Sequence, residues 1–236
     1  MLKPFLTCCA VWCFFLSSHG VHAQGLSAFI NTRDVFMVFD DSVIRQADYL
    51  KPVSYKIGGN CVAFISNDKS FKVYQHGRTI KVNDGFTTDY TMTGNYVIMK
   101  NNTSLYVFDD GKATLLVRNP YDYVAADSII GFSDPITKSY FVYSGGTVTP
   151  LTDDIIGNPI QVNALGKNLI AYTTVEDSLK IYYHGQLYPQ PVQNVTGVRA
   201  GQNIVAYKNN YDDEFKVFYK GETTTLETFA VRNANG

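Results

Sequence analysis

One phrase recurs six times in this chain: an alternating apolar strand that runs into a tight turn. Its clearest copies are Phe71-Lys72-Val73-Tyr74-Gln75-His76-Gly77, Leu105-Tyr106-Val107-Phe108-Asp109-Asp110-Gly111 and Tyr140-Phe141-Val142-Tyr143-Ser144-Gly145-Gly146. Two more are Leu179-Lys180-Ile181-Tyr182-Tyr183-His184-Gly185 and Phe215-Lys216-Val217-Phe218-Tyr219-Lys220-Gly221. A weaker first copy is Phe36-Met37-Val38-Phe39-Asp40-Asp41-Ser42. The turn residue falls at 42, 77, 111, 146, 185 and 221, in steps of 35, 34, 35, 39 and 36. A near-constant period of this size marks a stacked or circular array in which no unit buries its apolar face alone.

Each unit reads as four short strands. In the second unit they are Val53–Ile57, Cys61–Ile65, Phe71–Tyr74 and Arg78–Val82, divided by Gly58-Gly59-Asn60, Ser66–Ser70 and Gln75-His76-Gly77. Those clusters supply positive φ and side-chain-to-backbone bonds for turns. The second strand repeats as Cys61-Val62-Ala63-Phe64, Tyr96-Val97-Ile98-Met99, Ile129-Ile130-Gly131-Phe132, Leu169-Ile170-Ala171-Tyr172 and Ile204-Val205-Ala206-Tyr207. It is apolar on both faces, which predicts a strand sandwiched between sheets. An aromatic content of 14%, rich in Tyr and Phe, agrees with an all-β chain.

Four strands per period with both faces covered resemble a β-propeller blade. Leu26–Asp41 aligns without a gap to Asn95–Asp110, so the first copy begins at strand two of a blade. Phe229-Ala230-Val231-Arg232-Asn233-Ala234 resembles the strand-one segment Gly197-Val198-Arg199-Ala200-Gly201. The expectation is a β-propeller of six four-stranded blades, the ring closed by the C-terminal strand completing the first blade. The rival is the front part of a longer array, because Asn235-Gly236 is also how a further unit begins. A transmembrane barrel is disfavoured, since its strands alternate apolar-out with polar-in. The pattern resembles the six-bladed propellers of bacterial envelopes, TolB-like and related WD40-like repeats. The Trp-Asp ending of true WD40 repeats and the Asp-x-Asp-Gly turn of calcium-binding repeats are both missing. No family residue is therefore carried over as functional.

The first residues read as a targeting segment. Lys3 gives the positive start, Phe5 to Leu16 the apolar run, and Val21-His22-Ala23 a small-residue cleavage site before Gln24. This predicts a signal peptide over 1–23, a single propeller domain over 24–236, and an exported protein, periplasmic or extracellular. A lipid anchor on Cys8, Cys9 or Cys13 is the competing reading, but the residues before them do not form a lipoprotein box. No later stretch approaches the ~18 apolar residues of a membrane span. Cleavage leaves Cys61 as the sole cysteine and His76 and His184 as the sole histidines. Net charge moves only from −1 to −2, with no basic footprint for nucleic acid.

Catalytic patterns are weak. The mature chain has no Gly-x-Ser-x-Gly, and both histidines sit in hairpin turns. Cys61 occupies a core strand position, which makes it an inert buried thiol. Asp40-Asp41, Asp109-Asp110, Asp153-Asp154 and Asp212-Asp213 are adjacent pairs that point apart, so neither metal nor other cofactor is expected. Tyr55, Tyr90 and Tyr123 share one depth of strand one and are candidates to line a central channel or to pack blade on blade. The strand two–three turns and the blade-to-blade connections should share one face. Tyr121, Asp122, Asn209, Tyr211 and Asp212 are its candidate binding residues. The function expected is a non-catalytic binding or scaffolding module for a protein or glycan of the cell envelope. The alternative is a hydrolase or lyase using channel-facing carboxylates and tyrosines; sequence leaves oligomeric state open.

Cleavage is directly testable. The intact mass of protein from its native host should correspond to a chain starting at Gln24 without lipid. Retention of residues 1–23, or a diacylglycerol adduct on Cys8, Cys9 or Cys13, would overturn the assignment.

Overall fold

All six repeated phrases end in a two-residue turn with both residues at positive φ. The pairs are Asp41/Ser42 (45° and 73°), His76/Gly77 (50° and 77°), Asp110/Gly111 (43° and 81°), Gly145/Gly146 (55° and 83°), His184/Gly185 (47° and 82°) and Lys220/Gly221 (50° and 96°). These are type I′ turns, whose twist matches that of the strands they join. Glycine at the second position avoids the clash of a Cβ with the backbone in five of the six. The computed structural model describes residues 25–84, 87–101, 103–151, 160–174 and 176–228.

The hairpins extend into six antiparallel meanders, each a separate sheet. Sheet one has three strands: Leu26–Ile30, Phe36–Asp40 and Val43–Asp48. Sheet two comprises Ser54–Ile57, Cys61–Ile65, Phe71–Gln75 and Arg78–Asn83. Sheet three comprises Thr87–Met92, Val97–Asn101, Ser104–Asp109 and Lys112–Arg118. Sheet four runs through Tyr123–Ala126, Ile129–Asp134, Ser139–Ser144 and Thr147–Pro150, and sheet five through Gln161–Leu165, Leu169–Thr173, Ser178–Tyr183 and Gln186–Gln193. Sheet six holds Val195–Ala200, Ile204–Asn209, Glu214–Tyr219 and Glu222–Thr228. Among the described residues no helix is long and apolar enough to cross a membrane.

Burial follows the two-residue period of a strand, but on both faces. Each sheet turns one face forward, to the next sheet, and one rearward. Forward-facing Phe71 and Val73 of sheet two meet rear-facing Val97, Met99 and Phe108 of sheet three. The same junction joins sheets one and two, three and four, four and five, and five and six, each through its own apolar cluster. The core is thus five layers between sheets rather than one centre. First strands lie beside first strands where sheet four meets five and where five meets six, so the sheets fan about a common axis.

Glycines 58, 59, 94, 166 and 201 do not take positive φ, contrary to the expectation for the strand one–two turns. Close approach explains them. A Cβ at Gly59 would sit 2.5 Å from the Gly94 carbonyl oxygen, and one at Gly166 would overlap the Gly201 carbonyl. Any larger residue would wedge neighbouring turns apart.

Two expectations need correction. The gap-free alignment of Leu26–Asp41 to Asn95–Asp110 slips by one residue. Ala28 lies opposite Val38, whereas Ile98, and not the aligned Val97, lies opposite Val107. The Asn31–Val35 turn is one residue longer than its counterpart, and Asn31 organises it by accepting from the Arg33 and Val35 amides. Second, the described sheets do not close into a ring. Forward-facing Phe215 and Val217 of sheet six are half-buried, although their equivalents Phe71, Val73, Tyr140 and Val142 are buried. The proposed closing strand, Phe229–Ala234, lies outside the described residues, as do the targeting segment, Asp153-Asp154 and Gly157-Asn158-Pro159.

Position in the array therefore decides what a substitution does. Val142→Asp places an unpaired charge between sheets four and five. It should lower stability by more than the ~1.5–3 kcal/mol of a buried valine, since carboxylate desolvation adds to it. Val217→Asp, at the same repeat position on a face that no described sheet covers, should cost clearly less in dilute protein. Urea midpoints of the two variants check this; equal values would mean that both faces are equally covered.

Candidate functional site

The strand two–three turns and the sheet-to-sheet connections meet at one end of the array. The Asn119 amide donates to the Thr103 carbonyl at 2.7 Å, and the Asn210 amide to the Asn194 carbonyl at 3.2 Å. Ser66 Oγ donates to Asp48 Oδ2 at 2.5 Å, and Lys72 Nζ pairs with the same oxygen at 3.0 Å. A turn of one sheet is thus tied to a connection of the same or a neighbouring sheet.

Tyr121 and Asp122 lie just before sheet four. Both backbone amides donate to Ser133 Oγ at 3.0 Å, and the Ser133 hydroxyl and amide both reach the Asp122 carbonyl. The bonds hold the backbone while the Tyr121 side chain stands 78% exposed. Asn209, Tyr211 and Asp212 form the turn of sheet six. Asn209 is buried, and both ends of its amide serve the loop: Nδ2 donates to Asp212 Oδ2 at 2.7 Å, and Oδ1 accepts from the Tyr211 amide at 3.1 Å. Tyr211 is 87% exposed. The two groups stand on sheets four and six with sheet five between them.

Sequence reasoning passed over two further exposed side chains at this end. Tyr49, 82% exposed, follows Asp48, whose carboxylate accepts from the Tyr49 amide at 2.8 Å. Ile136 tops the turn of sheet four, where its amide donates to Asp134. A depression of about 280 Å³ next to Tyr121 is lined by Lys100, Thr103, Ser104, Asn119 and Pro120. Another, of about 420 Å³, lies between Asp48, Tyr49, Lys72 and Lys81. The first has no acid in its lining and the second only Asp48, already engaged by Lys72 and Ser66. Among the described residues no group of three or more His, Cys, Asp or Glu could hold a metal ion. Such shallow polar hollows flanked by tyrosines offer contact surface and hydrogen bonds, without a convergent acid pair.

The strand-one tyrosines do share one register: Tyr55, Tyr90 and Tyr123 face Phe64, Met99 and Phe132 on the adjacent strand. Sheets five and six carry a bulge at this depth, between Val162 and Ala164 and between Thr196 and Arg199. The tyrosine rings reach the preceding sheet. Tyr55 meets Phe36 at 5.1 Å between ring centres, and Tyr90 meets Phe71 at 5.0 Å. Tyr123 packs on the cluster between sheets three and four. Lysines of the preceding sheet cap two of the rings, Lys56 over Tyr90 at 4.6 Å and Lys100 over Tyr123 at 5.1 Å. Cys61 is buried in the core between sheets two and three, and burial pushes its thiol up to about 12.

Another set of residues was legible only in pairs. At the turn end of strand three, Tyr74 donates to Asp40 of the preceding sheet at 3.0 Å, and Tyr143 to Asp109 at 2.8 Å. The partners stand 34 residues apart, one repeat, so an Asp ending strand three with a Tyr one repeat later is the signal. Between sheets five and six, Gln190 Oε1 accepts from both Tyr207 and Thr223.

A family model described as a 10-bladed beta propeller domain matches residues 20–235. No curated protein matches this chain. Among solved structures, the chain is similar to the CRINKLY WD40 ectodomain of the receptor kinase ACR4 from Arabidopsis thaliana. Identity is 9% over 89% of this chain and 83% of that one, with a TM-score of 0.39. Prp20p from Saccharomyces cerevisiae shares 9% identity over 89% of this chain and 76% of its own, with a TM-score of 0.40. The computationally designed Ika8 protein shares 18% over 89% and 75%, with a TM-score of 0.36.

The buried phenols make the fold sensitive to alkali. Burial, then the bond to Asp40, pushes Tyr74 up to about 12; burial does the same to Tyr207, helped by the charge of Glu214. Tyr143 is raised further, by burial and then Asp109. An unfolded phenol titrates near ~10. A raised folded value means stability that is complete below pH ~10 and is lost as pH climbs through the folded value. The last of the tyrosinate absorbance should appear only together with loss of the β-sheet signal. Full titration near pH ~10 with the sheet signal intact would contradict this packing.

Proposed function

We propose that this chain, which belongs to the 10-bladed beta propeller domain family, is an exported scaffold that captures a protein or glycan partner of the cell envelope on its loop end. The observation carrying this reading is the pairing of highly exposed tyrosines with immobilised backbone. Tyr121 and Tyr211 present large amphipathic rings whose loops are already held by Ser133 and Asn209, so little backbone freedom is lost on binding. The neighbouring depression offers Lys100, Ser104 and Asn119, the polar groups a peptide or a sugar engages beside an aromatic face. The export half of the proposal rests on Lys3, the apolar run and Val21-His22-Ala23.

The residues beside the two tyrosines have separate roles. Asn209 fixes the loop, so Asn209→Ala should act through Tyr211 and Asp212 rather than by loss of a direct contact. Asp122 supplies a carboxylate beside Tyr121 and defines where a partner's donors fit.

Tyr121→Ala combined with Tyr211→Ala should weaken partner capture at least ~10-fold, the scale of a hot-spot ring. The melting temperature should hardly move, because both side chains are solvated. Pull-down from envelope extract beside a glycan panel, wild type against double variant, measures it. Undiminished binding would move the site elsewhere. Turnover of a substrate that is lost on changing Tyr90 or a channel-facing acid would replace the scaffold reading with the hydrolase or lyase alternative.

A further inference from the structure

Two apolar sheet faces of this molecule have no described sheet against them, one of the forward kind and one of the rear kind. Among the described sheets none covers the forward face of sheet six, where Ile204 and the 52% exposed Tyr219 stand out and Ala206, Phe215 and Val217 are half-buried. Sheet one begins the array with its rear face bare: Phe29, Met37, the 36% exposed Phe39 and the 58% exposed Ile44. A forward face packed on a rear face is what holds every neighbouring pair of sheets together, in five apolar clusters. The bare faces therefore carry the complementary shapes of the same contact.

Their rim residues match as well. At two junctions the rear face carries a Tyr, Tyr74 or Tyr143, and the preceding sheet ends strand three in an Asp that accepts the hydroxyl's hydrogen bond. Where the rear face carries Phe218, the preceding sheet ends in Tyr183, and the rings meet edge to face at 5.9 Å. The free rear face carries Phe39 at this repeat position, and the free forward face ends in Tyr219. The free pair thus repeats the Tyr183–Phe218 arrangement, with no acid left to desolvate. Four sheets separate the two faces within one chain, and six sheets fall short of the ten blades by which the family is described.

We propose that these faces join two copies of this chain head to tail, sheet six of one copy stacking on sheet one of the next. Such a contact is heterologous. Each added copy brings another free pair, so association runs on to a closed ring or a filament rather than stopping at a dimer.

The test spoils one face at a time. Phe39→Asp damages only the rear face and Tyr219→Asp only the forward face; circular dichroism verifies that both fold, and Ile44→Asp replaces Phe39→Asp if it does not. In sedimentation velocity, the purified wild-type chain should assemble increasingly with concentration, and each variant alone should stay monomeric. An equal mixture of the two variants retains one intact rear face and one intact forward face, and should form dimers and nothing larger. Four outcomes would overturn the proposal. A monomeric wild type whose variants both unfold earlier means that the faces meet within one chain. A monomeric wild type with stable variants means that a different protein covers them. Loss of assembly in only one variant means that like faces pair. A mixture that stays monomeric excludes the head-to-tail junction.

Discussion

Everything in this molecule depends on a sheet that is apolar on both sides. Strand two of the inner repeats buries consecutive side chains, Cys61 through Phe64 in sheet two and Leu169 through Tyr172 in sheet five. A single such sheet in water would expose two greasy surfaces, and closing one of them leaves the other. Only an array satisfies both, each sheet covering the forward face of its predecessor and offering its own. At ~25 cal/mol per Å² of buried apolar area, these junctions supply the dominant favourable term in folding. The hydrogen bonds within each meander mainly avoid the loss of backbone satisfaction.

That arrangement also gives the loop end its stiffness. In the inner sheets the turns are short continuations of strands clamped on both faces. Side chains hold what the strands leave loose, with Ser133 beneath Tyr121, Asn209 beneath Tyr211 and Asp48 beneath Tyr49. The type I′ hairpins lie at the opposite ends of the strands, where glycine fixes the twist. The chain therefore separates two roles by strand end, with twist set at one and recognition groups presented at the other.

The repeat made the strands readable because period-two patterning and turn glycines are local signals. In sheet two the observed strands differ from the sequence reading by a residue at most. Depth was readable too: Tyr55, Tyr90 and Tyr123 do fall at one register. What sequence lacked was the difference between roles that use the same residue type. Asn209 and Tyr211 look alike as loop residues, yet one is buried beneath the other because its amide closes the turn. Glycines 59 and 166 look like turn formers, yet close approach of the next turn requires them. The glycine distinction arises from neighbours one repeat away, and the asparagine one from the way its own loop folds back.

Near-identical sheets raise a further problem, since any forward face has roughly the right shape for any rear face. The rim pairs address it. Tyr74 and Tyr143 are buried phenols whose hydroxyls find Asp40 and Asp109 only when adjacent repeats stack. Stacked instead on a sheet ending in Tyr183, such a hydroxyl would lose its carboxylate, and a buried unsatisfied group costs about 1–3 kcal/mol. Placing Phe218 over an Asp would in turn desolvate a carboxylate without a donor. A few polar pairs at the edge of an apolar interface thus penalise wrong neighbours while adding little to the attraction between right ones. Within one chain the short connections set the order of the sheets and these mismatches reinforce it at the junctions that carry them, whereas cohesion comes from the apolar area that all the junctions share.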